Sequence, residues 1–345
     1  MLSPGGTRYG FEYDGFGKTK KIKVGSRTLT ENVYEPNNGN LAYSTYGNGA
    51  KVGYTYDSLD RVTQKLYNDS VKAIYKYDKF GNLYSKNDLF TGVQYKYDYD
   101  LSGRTLGVKA NDGTSVRFVY DNLNRVSKQV SAVKDARLVT EYVYGSAENS
   151  QMNGVVYGVK QNGQNSISYT YDELARLKSK NIDALGTYAT EYTYLEGGDP
   201  NTTTTTVKSV KNGNELLEYS YDDVGNITEV KKNGTTVEEY SYDSLNQLVS
   251  ATYGGHTYTY TYDNAGNILS VKKDGNIVKS YSYDDSEWKD LLTSFNGQTI
   301  TYDQIGNPLT YRDGFNFTWS NGRQLTGITR GIDNISYLNP TRYQY

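Results

Sequence analysis

The 345-residue chain contains no cysteine and one histidine, His256. Without cysteine it has no disulfide scaffold, thiolate nucleophile or cysteine-ligated zinc site, and a single histidine excludes a histidine-rich metal cluster. No apolar run approaches the ~20 residues that span a bilayer, and residues 1–17 lack the hydrophobic segment of a signal peptide. The 37 basic and 39 acidic side chains give a net charge of −2, so the positive field of a nucleic-acid-binding protein is missing.

Tyrosine and glycine are abundant instead, with 38 and 35 residues, whereas all hydrophobic types together make up only 36%. Aromatic side chains suit the pleated, half-buried surface of a β-sheet. In residues 256–262, tyrosine alternates with histidine or threonine at the period of two that a strand requires. We find no segment with apolar residues at i, i+3, i+4 and i+7 over three turns. The chain is therefore predicted to be all-β.

A repeat of about 21 residues runs along the chain, with spacings of 21 residues from Tyr56 to Tyr77 and from Tyr221 to Tyr242. Its consensus is Tyr-x-Tyr-Asp-x-x-Gly-Asn/Arg-aliphatic. Positions of the repeat that we predict to be structural are Tyr56, Asp57, Tyr77, Asp78, Gly81, Tyr221, Asp222, Gly225, Tyr262, Asp263, Gly266 and Trp319, the last of which replaces tyrosine. Their regular recurrence indicates a repeat architecture.

Each repeat also carries two turn signals. In Asp-x-x-Gly, the aspartate can accept a backbone hydrogen bond from about two residues on, and the glycine can adopt a left-handed conformation. Asn-Gly and Asp-Gly pairs predict two-residue type I′ hairpin turns. These pairs are Asn48-Gly49, Asp112-Gly113, Asn162-Gly163, Asn212-Gly213, Asn233-Gly234 and Asp274-Gly275. One repeat is therefore predicted to be a β-hairpin of two short strands.

A single hairpin is marginally stable in water, so we expect the repeats to pair edge to edge and to bury their tyrosines. The fold class that follows is a set of tandem β-hairpins forming one continuous, spiralling antiparallel sheet, because neighbouring strands twist relative to each other. Residues 144–163 and 194–207 are irregular, but the repeat resumes after both. We therefore expect one repeat array over residues 1–345, with these stretches as insertions.

The repeat resembles the YD repeat of the RHS family, which bacterial polymorphic toxins, the BC shells of Tc toxins and animal teneurins share. The resemblance runs from Phe11-Glu12-Tyr13-Asp14 to the end of the chain, and residues 319–325 match the Trp-x-Asn-Gly-Arg-x-Leu variant of bacterial members. It implies a shell that encloses or presents a C-terminal toxin or effector polypeptide and is secreted or displayed on a bacterial cell surface. The family's Asp-Pro-x-Gly cleavage segment is missing, since Asp199-Pro200 is not followed by that glycine.

The chain ends in Tyr343-Gln344-Tyr345, which looks like the start of another repeat, so we expect a fragment of a longer shell. We expect no enzyme activity and no cofactor. About a dozen similar aspartates at turn starts favour a shared capping role over catalysis. His256 has no Gly-x-Ser-x-Gly nucleophile motif to complete a triad, and calcium-binding spacings are absent.

An alternative function is a cell-surface carbohydrate-binding or adhesion module, in which exposed tyrosine or tryptophan rings stack on sugars. Trp288 and Trp319 are the candidate contacts. Core packing is the competing interpretation of the aromatic residues, because a chain so poor in leucine and isoleucine has little else to bury. The expected partners are accordingly a C-terminal effector segment or cell-surface glycans, with no nucleic acid and no membrane insertion by this segment.

Overall fold

The computed structural model describes residues 6–146, 152–183, 188–198 and 202–336. Asp199-Pro200 and the terminal Tyr343-Gln344-Tyr345 lie outside these residues. The described residues form strands, turns and short 3₁₀ segments such as Arg312–Gly314, and they include no α-helix. The all-β prediction is confirmed.

The chain forms two compact units. Unit 1 consists of Met1–Gln94 and Thr259–Tyr345, and unit 2 consists of Tyr95–Tyr258. The expectation that residues 1–345 form a single repeat array stays a prediction.

The first part of unit 1 consists of antiparallel hairpins. Its strands are β1 (Tyr9–Tyr13), β2 (Thr19–Val24), β3 (Arg27–Tyr34), β4 (Leu41–Tyr46), β5 (Lys51–Tyr56), β6 (Val62–Tyr67), β7 (Ser70–Tyr77) and β8 (Leu83–Asp88). Each of these strands pairs with the next one in the sequence.

Unit 2 repeats the same pattern over a longer stretch, and its two boundaries fall within strands β9 and β23. The strands of this stretch are β9 (Val93–Tyr99), β10 (Thr105–Ala110), β11 (Ser115–Tyr120), β12 (Val126–Val133), β13 (Ala136–Tyr144), β14 (Val156–Gln161), β15 (Gln164–Tyr171), β16 (Leu177–Ile182), β17 (Tyr188–Glu196), β18 (Thr203–Asn212), β19 (Glu215–Tyr221), β20 (Ile227–Lys232), β21 (Thr235–Tyr242), β22 (Leu248–Tyr253) and β23 (His256–Tyr262).

The second part of unit 1 has shorter strands. They are β24 (Ile268–Lys273), β25 (Asn276–Ser282), β26 (Ser294–Phe295), β27 (Gln298–Thr299), β28 (Thr310–Tyr311), β29 (Phe315–Ser320), β30 (Gln324–Arg330) and β31 (Asp333–Ser336). Strands β1 to β27 belong to one antiparallel sheet, and β28 to β31 form a second sheet of four strands. The predicted long antiparallel sheet is confirmed.

The predicted type I′ turns are confirmed at three pairs and wrong at three others. Both residues have positive φ at Asn162-Gly163, Asn233-Gly234 and Asp274-Gly275. At Asn48-Gly49 and Asp112-Gly113 only the glycine has positive φ. In these hairpins three residues, and not two, connect the paired strands, and they form a type I turn followed by a left-handed glycine. Asn212 pairs with Glu215, so the turn there lies one residue later, at Gly213-Asn214.

Few side chains are fully buried, as expected for a sheet built from tyrosine and polar residues. Small residues such as Ala73, Ala110 and Ala251 are buried singly along the strands. In unit 1, Val24, Leu29 and Ile305 form a buried hydrophobic cluster, against which Tyr46 and Trp288 pack.

Candidate functional site

The recurring structural feature is a five-residue loop, which we call the Tyr-Asp loop, running from the aspartate to the residue four positions later. In the loop from Asp57 to Arg61, Oδ1 of Asp57 accepts hydrogen bonds of 3.0 Å from the backbone N–H groups of Leu59 and Arg61. The backbone N–H of Asp57 donates to the carbonyl of Arg61 at 3.0 Å. The equivalent carboxylate contacts recur at Asp14, Asp78, Asp100, Asp121, Asp172, Asp222, Asp243, Asp263 and Asp303.

The fourth residue of the loop adopts a left-handed backbone conformation. Gly81, Gly225 and Gly266 have φ values of 94°, 93° and 85°, which glycine adopts without a Cβ clash. Asp60 and Ala175 occupy the same position with φ values of 61° and 63°. Aspartate tolerates this region through local hydrogen bonding, whereas alanine has no such compensation.

The residue that ends the loop binds the second carboxylate oxygen. Nε of Arg61 donates to Oδ2 of Asp57 at 2.8 Å, and Nδ2 of Asn226 donates to Oδ2 of Asp222 at 2.9 Å. The hydrogen bond from Arg61 holds the pKa of Asp57 below its usual value, and the one from Asn226 lowers the pKa of Asp222. Both aspartates therefore favour the ionised form that the loop requires.

The tyrosine before the aspartate joins successive repeats through its hydroxyl group. Tyr56 donates to the carbonyl of Leu41 at 2.9 Å, Tyr77 to that of Val62 at 2.9 Å and Tyr221 to that of Val207 at 2.6 Å. Backbone carbonyls also accept from the hydroxyls of Tyr120, Tyr171, Tyr242 and Tyr302. Tyr34, Tyr144 and Tyr194, which occupy the same repeat position without a following aspartate, make the same contact. We call each of these contacts a tyrosine bridge.

An arginine reinforces the tyrosine bridge in four repeats. The guanidinium of Arg61 lies 4.5 Å from the ring centre of Tyr77 while also binding Asp57. The same cation–π contact forms between Arg104 and Tyr120, Arg125 and Tyr144, and Arg176 and Tyr194. The arginine therefore links the aspartate of one repeat to the tyrosine of the next, a role that our sequence reasoning missed. The signal was its fixed position four residues after the aspartate.

The remaining predicted positions also lie in strands and loops. Tyr262 is the last residue of β23, and Oδ1 of Asp263 accepts from the backbone N–H groups of Ala265 and Asn267 at 2.8 and 2.9 Å. The indole N–H of Trp319 donates to the carbonyl of Pro308 at 2.7 Å.

Trp288 and Trp319, the proposed sugar contacts, are both half-buried in intrachain contacts. Carbohydrate binding stays a prediction. His256, the first residue of β23, is half-buried.

Unit 1 contains a second feature, which we call the seam. There the Tyr-Asp loop from Asp303 to Asn307 packs on the ends of β2 and β3, so that Ile305 and Val24 are both 0% exposed. Nδ2 of Asn48 donates to Oδ2 of Asp303 at 2.8 Å and to the carbonyl of Gly322 at 3.0 Å.

Close approach and charge also contribute to the seam. A Cβ atom on Gly47 would lie 3.2 Å from Ile305 and 2.0 Å from the carbonyl of Thr28, so glycine is required there. Arg27 forms an ion pair with Asp285. The seam thus joins segments about 260 residues apart, which no local sequence pattern signals.

In the part of the chain that the structure describes, no group of three or more His, Asp or Glu side chains is arranged to hold a metal ion. Over the same residues, no helix has the length and apolar character needed to cross a membrane. The observed arrangement of tyrosine, aspartate and arginine closes loops and joins strands.

Comparison with known proteins gives matches of two kinds. The family model described as Teneurin YD-shell matches residues 160–310. Mouse teneurin-4 is 28% identical over 134 residues, which cover 35% of this chain and 5% of the teneurin. The chain therefore spans a small part of the curated relative that it matches.

Solved structures match nearly the whole chain. The crystal structure of TcdB2-TccC3 without its hypervariable C-terminal region superimposes with a TM-score of 0.77 at 16% identity, covering 94% of this chain and 19% of that chain. The Tc holotoxin pore of Photorhabdus luminescens matches with a TM-score of 0.74 at 16% identity, again covering 94% of this chain and 19% of that chain. At this identity the likeness concerns the fold.

Proposed function

This chain belongs to the RHS/YD-repeat family, and on that premise we propose that it is a stretch of shell wall that encloses or presents a polypeptide carried C-terminal to it. The observation that carries this proposal is the tyrosine bridge, which recurs from Tyr34 to Tyr302 and joins one repeat to the preceding one. A wall must resist opening at every strand junction, since an isolated hairpin is marginal in water.

In this proposal the repeat residues have a structural, non-catalytic role. Tyr77 joins one repeat to the preceding one, Asp78 closes the loop, and Gly81 supplies the left-handed residue. Tyr56 and Tyr221 join repeats in the same way, Asp57, Asp222 and Asp263 close their loops, and Gly225 and Gly266 supply left-handed residues. Tyr262 occupies the corresponding position at the end of β23. Trp319 takes the place of tyrosine in the last repeat. The even distribution of these groups supports the proposal, because a catalytic centre needs unlike groups brought together at one place.

The partner and the location extend the same proposal. The TcdB2-TccC3 protein that this chain resembles in fold has a hypervariable C-terminal region, which supports a C-terminal effector as the enclosed polypeptide. We infer that these 345 residues are part of a longer shell, secreted or displayed at a bacterial cell surface.

Limited proteolysis of the natural polypeptide, including whatever follows residue 345, tests the enclosure. The C-terminal segment is expected to be digested more slowly within the natural polypeptide than when it is expressed alone. A matched pair of variants tests whether the wall protects that segment. Tyr77→Phe removes a tyrosine bridge and should speed the digestion of the C-terminal segment, whereas Tyr84→Phe changes an exposed ring and should not. Digestion at the same rate in both settings would contradict the proposal.

A further inference from the structure

Two tyrosines of one hairpin in unit 2 lie ring on ring. Tyr253 ends β22, and Tyr258 is the third residue of β23, which follows the turn Gly254-Gly255. Their ring centres are 4.7 Å apart and their planes differ by 12°. The spacing lies at the short end of the roughly 4.5–7 Å that aromatic pairs adopt, so the two rings form a close and nearly parallel stack.

The two hydroxyl groups lie at the same end of this stack. Loss of hydration raises the pKa of Tyr253, and the neighbouring phenol of Tyr258, together with a hydrogen bond between the two side chains, raises that pKa further. In parallel rings whose hydroxyls bond to each other, the carbons ortho to the hydroxyls face one another. A phenoxyl radical carries part of its unpaired electron on these ortho carbons, and two such radicals couple there.

The pair is also open to oxidation from solvent. Tyr253 is 41% exposed, whereas Tyr258 is half-buried. Glu238 of β21 is the direct cross-strand partner of Tyr253, and its Oε2 accepts a hydrogen bond from the hydroxyl of Tyr240. A carboxylate beside a phenol favours loss of an electron through its negative charge, and it can take up the proton that leaves.

A second tyrosine pair in unit 2 is arranged differently. The ring centres of Tyr157 and Tyr171 are 5.2 Å apart, but the rings meet edge to face at 71°. The hydroxyl of Tyr171 donates to the carbonyl of Val156, and that of Tyr157 accepts from the backbone N–H of Met152. Each hydroxyl is directed at the backbone, so this pair lacks the facing ortho carbons of the stack.

A covalent bond at the stack would fasten a hairpin for which disulfides are not available. The chain contains no cysteine, and a hairpin by itself is only marginally stable in water. A bond between the rings of Tyr253 and Tyr258 would tie β22 to β23. Unlike a disulfide, a carbon–carbon bond is not reversed by thiols.

We propose that Tyr253 and Tyr258 form a modification site, at which hydrogen peroxide and a haem peroxidase join the two rings as dityrosine. Each phenol gives up one electron and its hydroxyl proton, and the two radicals form a bond between their ortho carbons. The hydrogen on each coupled carbon then moves to the oxygen of its own ring, which restores both hydroxyl groups. The two electrons and two protons reduce one molecule of peroxide to two molecules of water. The proposal does not depend on what the wall encloses.

Peptide mapping of the oxidised 345-residue chain tests the site. The chain is treated at micromolar concentration with a haem peroxidase and hydrogen peroxide, digested with trypsin and analysed by tandem mass spectrometry. Residues 233–272 form one tryptic peptide, which should lose the mass of two hydrogen atoms. Fragments from backbone cleavage between Tyr253 and Tyr258 should disappear, because the new bond holds the two pieces together.

A matched pair of variants shows whether the stack selects the site. Tyr253→Phe keeps a ring in place but cannot form a phenoxyl radical, so it should abolish the linked peptide. Tyr157→Phe removes a hydroxyl from the edge-to-face pair and should leave the yield of the linked peptide unchanged. Circular dichroism checks that both variants fold.

Unchanged fragments between Tyr253 and Tyr258, in a chain whose other tyrosines have been oxidised, would overturn the proposal. Linkage of Tyr157 to Tyr171 in equal yield would also overturn it, because stacking would then not select the site. A product that disappears on dilution would do the same, since it would join separate chains. The proteolysis test of the C-terminal segment uses no peroxide, so either proposal can fail without the other.

Discussion

The hydroxyl group of Tyr77 donates a 2.9 Å hydrogen bond to the backbone carbonyl of Val62, fifteen residues earlier. Val62 is the first residue of β6, directly after the Tyr-Asp loop of the preceding repeat. A tyrosine at the end of β7 therefore holds the start of the neighbouring strand β6. The contact explains why tyrosine, and not phenylalanine, recurs before the aspartate.

Replacement of that tyrosine should measure the strength of the bridge. Tyr77→Phe leaves the ring in place but removes the donor, so the free energy of unfolding should fall by about 1 kcal/mol. Urea unfolding followed by circular dichroism measures the change. Tyr84→Phe, at an exposed tyrosine, is the control and should change stability by less than about 0.5 kcal/mol. Equal effects of the two substitutions would show that the hydroxyl of Tyr77 adds nothing.

Alkaline pH should weaken the bridges made by Tyr77 and Tyr221. Burial raises the pKa of Tyr77 and of Tyr221 above the ordinary value, so the folded state favours the protonated phenol. The resulting stability is fully present below the unfolded pKa of about 10 and is lost as the pH rises through the higher folded value. Urea midpoints measured from pH 8 to pH 11 should therefore fall at the alkaline end. Tyr77→Phe should show a smaller fall, and a midpoint that does not change with pH would contradict this account.

The left-handed position of the loop predicts opposite effects for a pair of substitutions. Ala175 has a φ of 63°, which costs roughly 1–2 kcal/mol for a residue with a Cβ atom. Ala175→Gly should consequently stabilise the chain, by less than that cost because glycine also gains freedom in the unfolded state. Gly225→Ala, where φ is 93° and a Cβ atom would meet nothing within 4 Å, should destabilise it through backbone strain alone. Thermal unfolding of both variants measures the two signs, and equal signs would contradict the explanation.

The seam predicts different costs at two equivalent loop positions. Ile305→Ala removes a fully buried side chain and should cost about 2–5 kcal/mol. Leu59→Ala, at the same loop position but 69% exposed, should cost less than about 0.5 kcal/mol in the 345-residue chain. Urea unfolding and hydrogen exchange at β2 and β3 report the difference. Similar costs would mean that the seam does not hold unit 1 together.

Much of the local structure was predictable from the sequence. The alternating residues 256–262 form strand β23, as predicted, and Gly81 and Gly225 have the left-handed conformation that Asp-x-x-Gly implies. The turn at Asn48-Gly49 was not predicted correctly, because the number of residues between paired strands depends on register, which the dipeptide alone does not specify. The acceptor of the Tyr77 hydroxyl was missed for a related reason, since a backbone carbonyl leaves no signature in the side-chain pattern.

The amino-acid sequence by itself determined that this protein is an antiparallel sheet of repeated hairpins, because strand periodicity and turn chemistry act between residues close together in the chain. Only the tertiary structure decided that Ile305 is buried while Leu59 is exposed, although both occupy the same position of the same motif. Burial depends on what faces a side chain, and Val24 and Leu29, which form the buried cluster with Ile305, lie at the far end of the sequence.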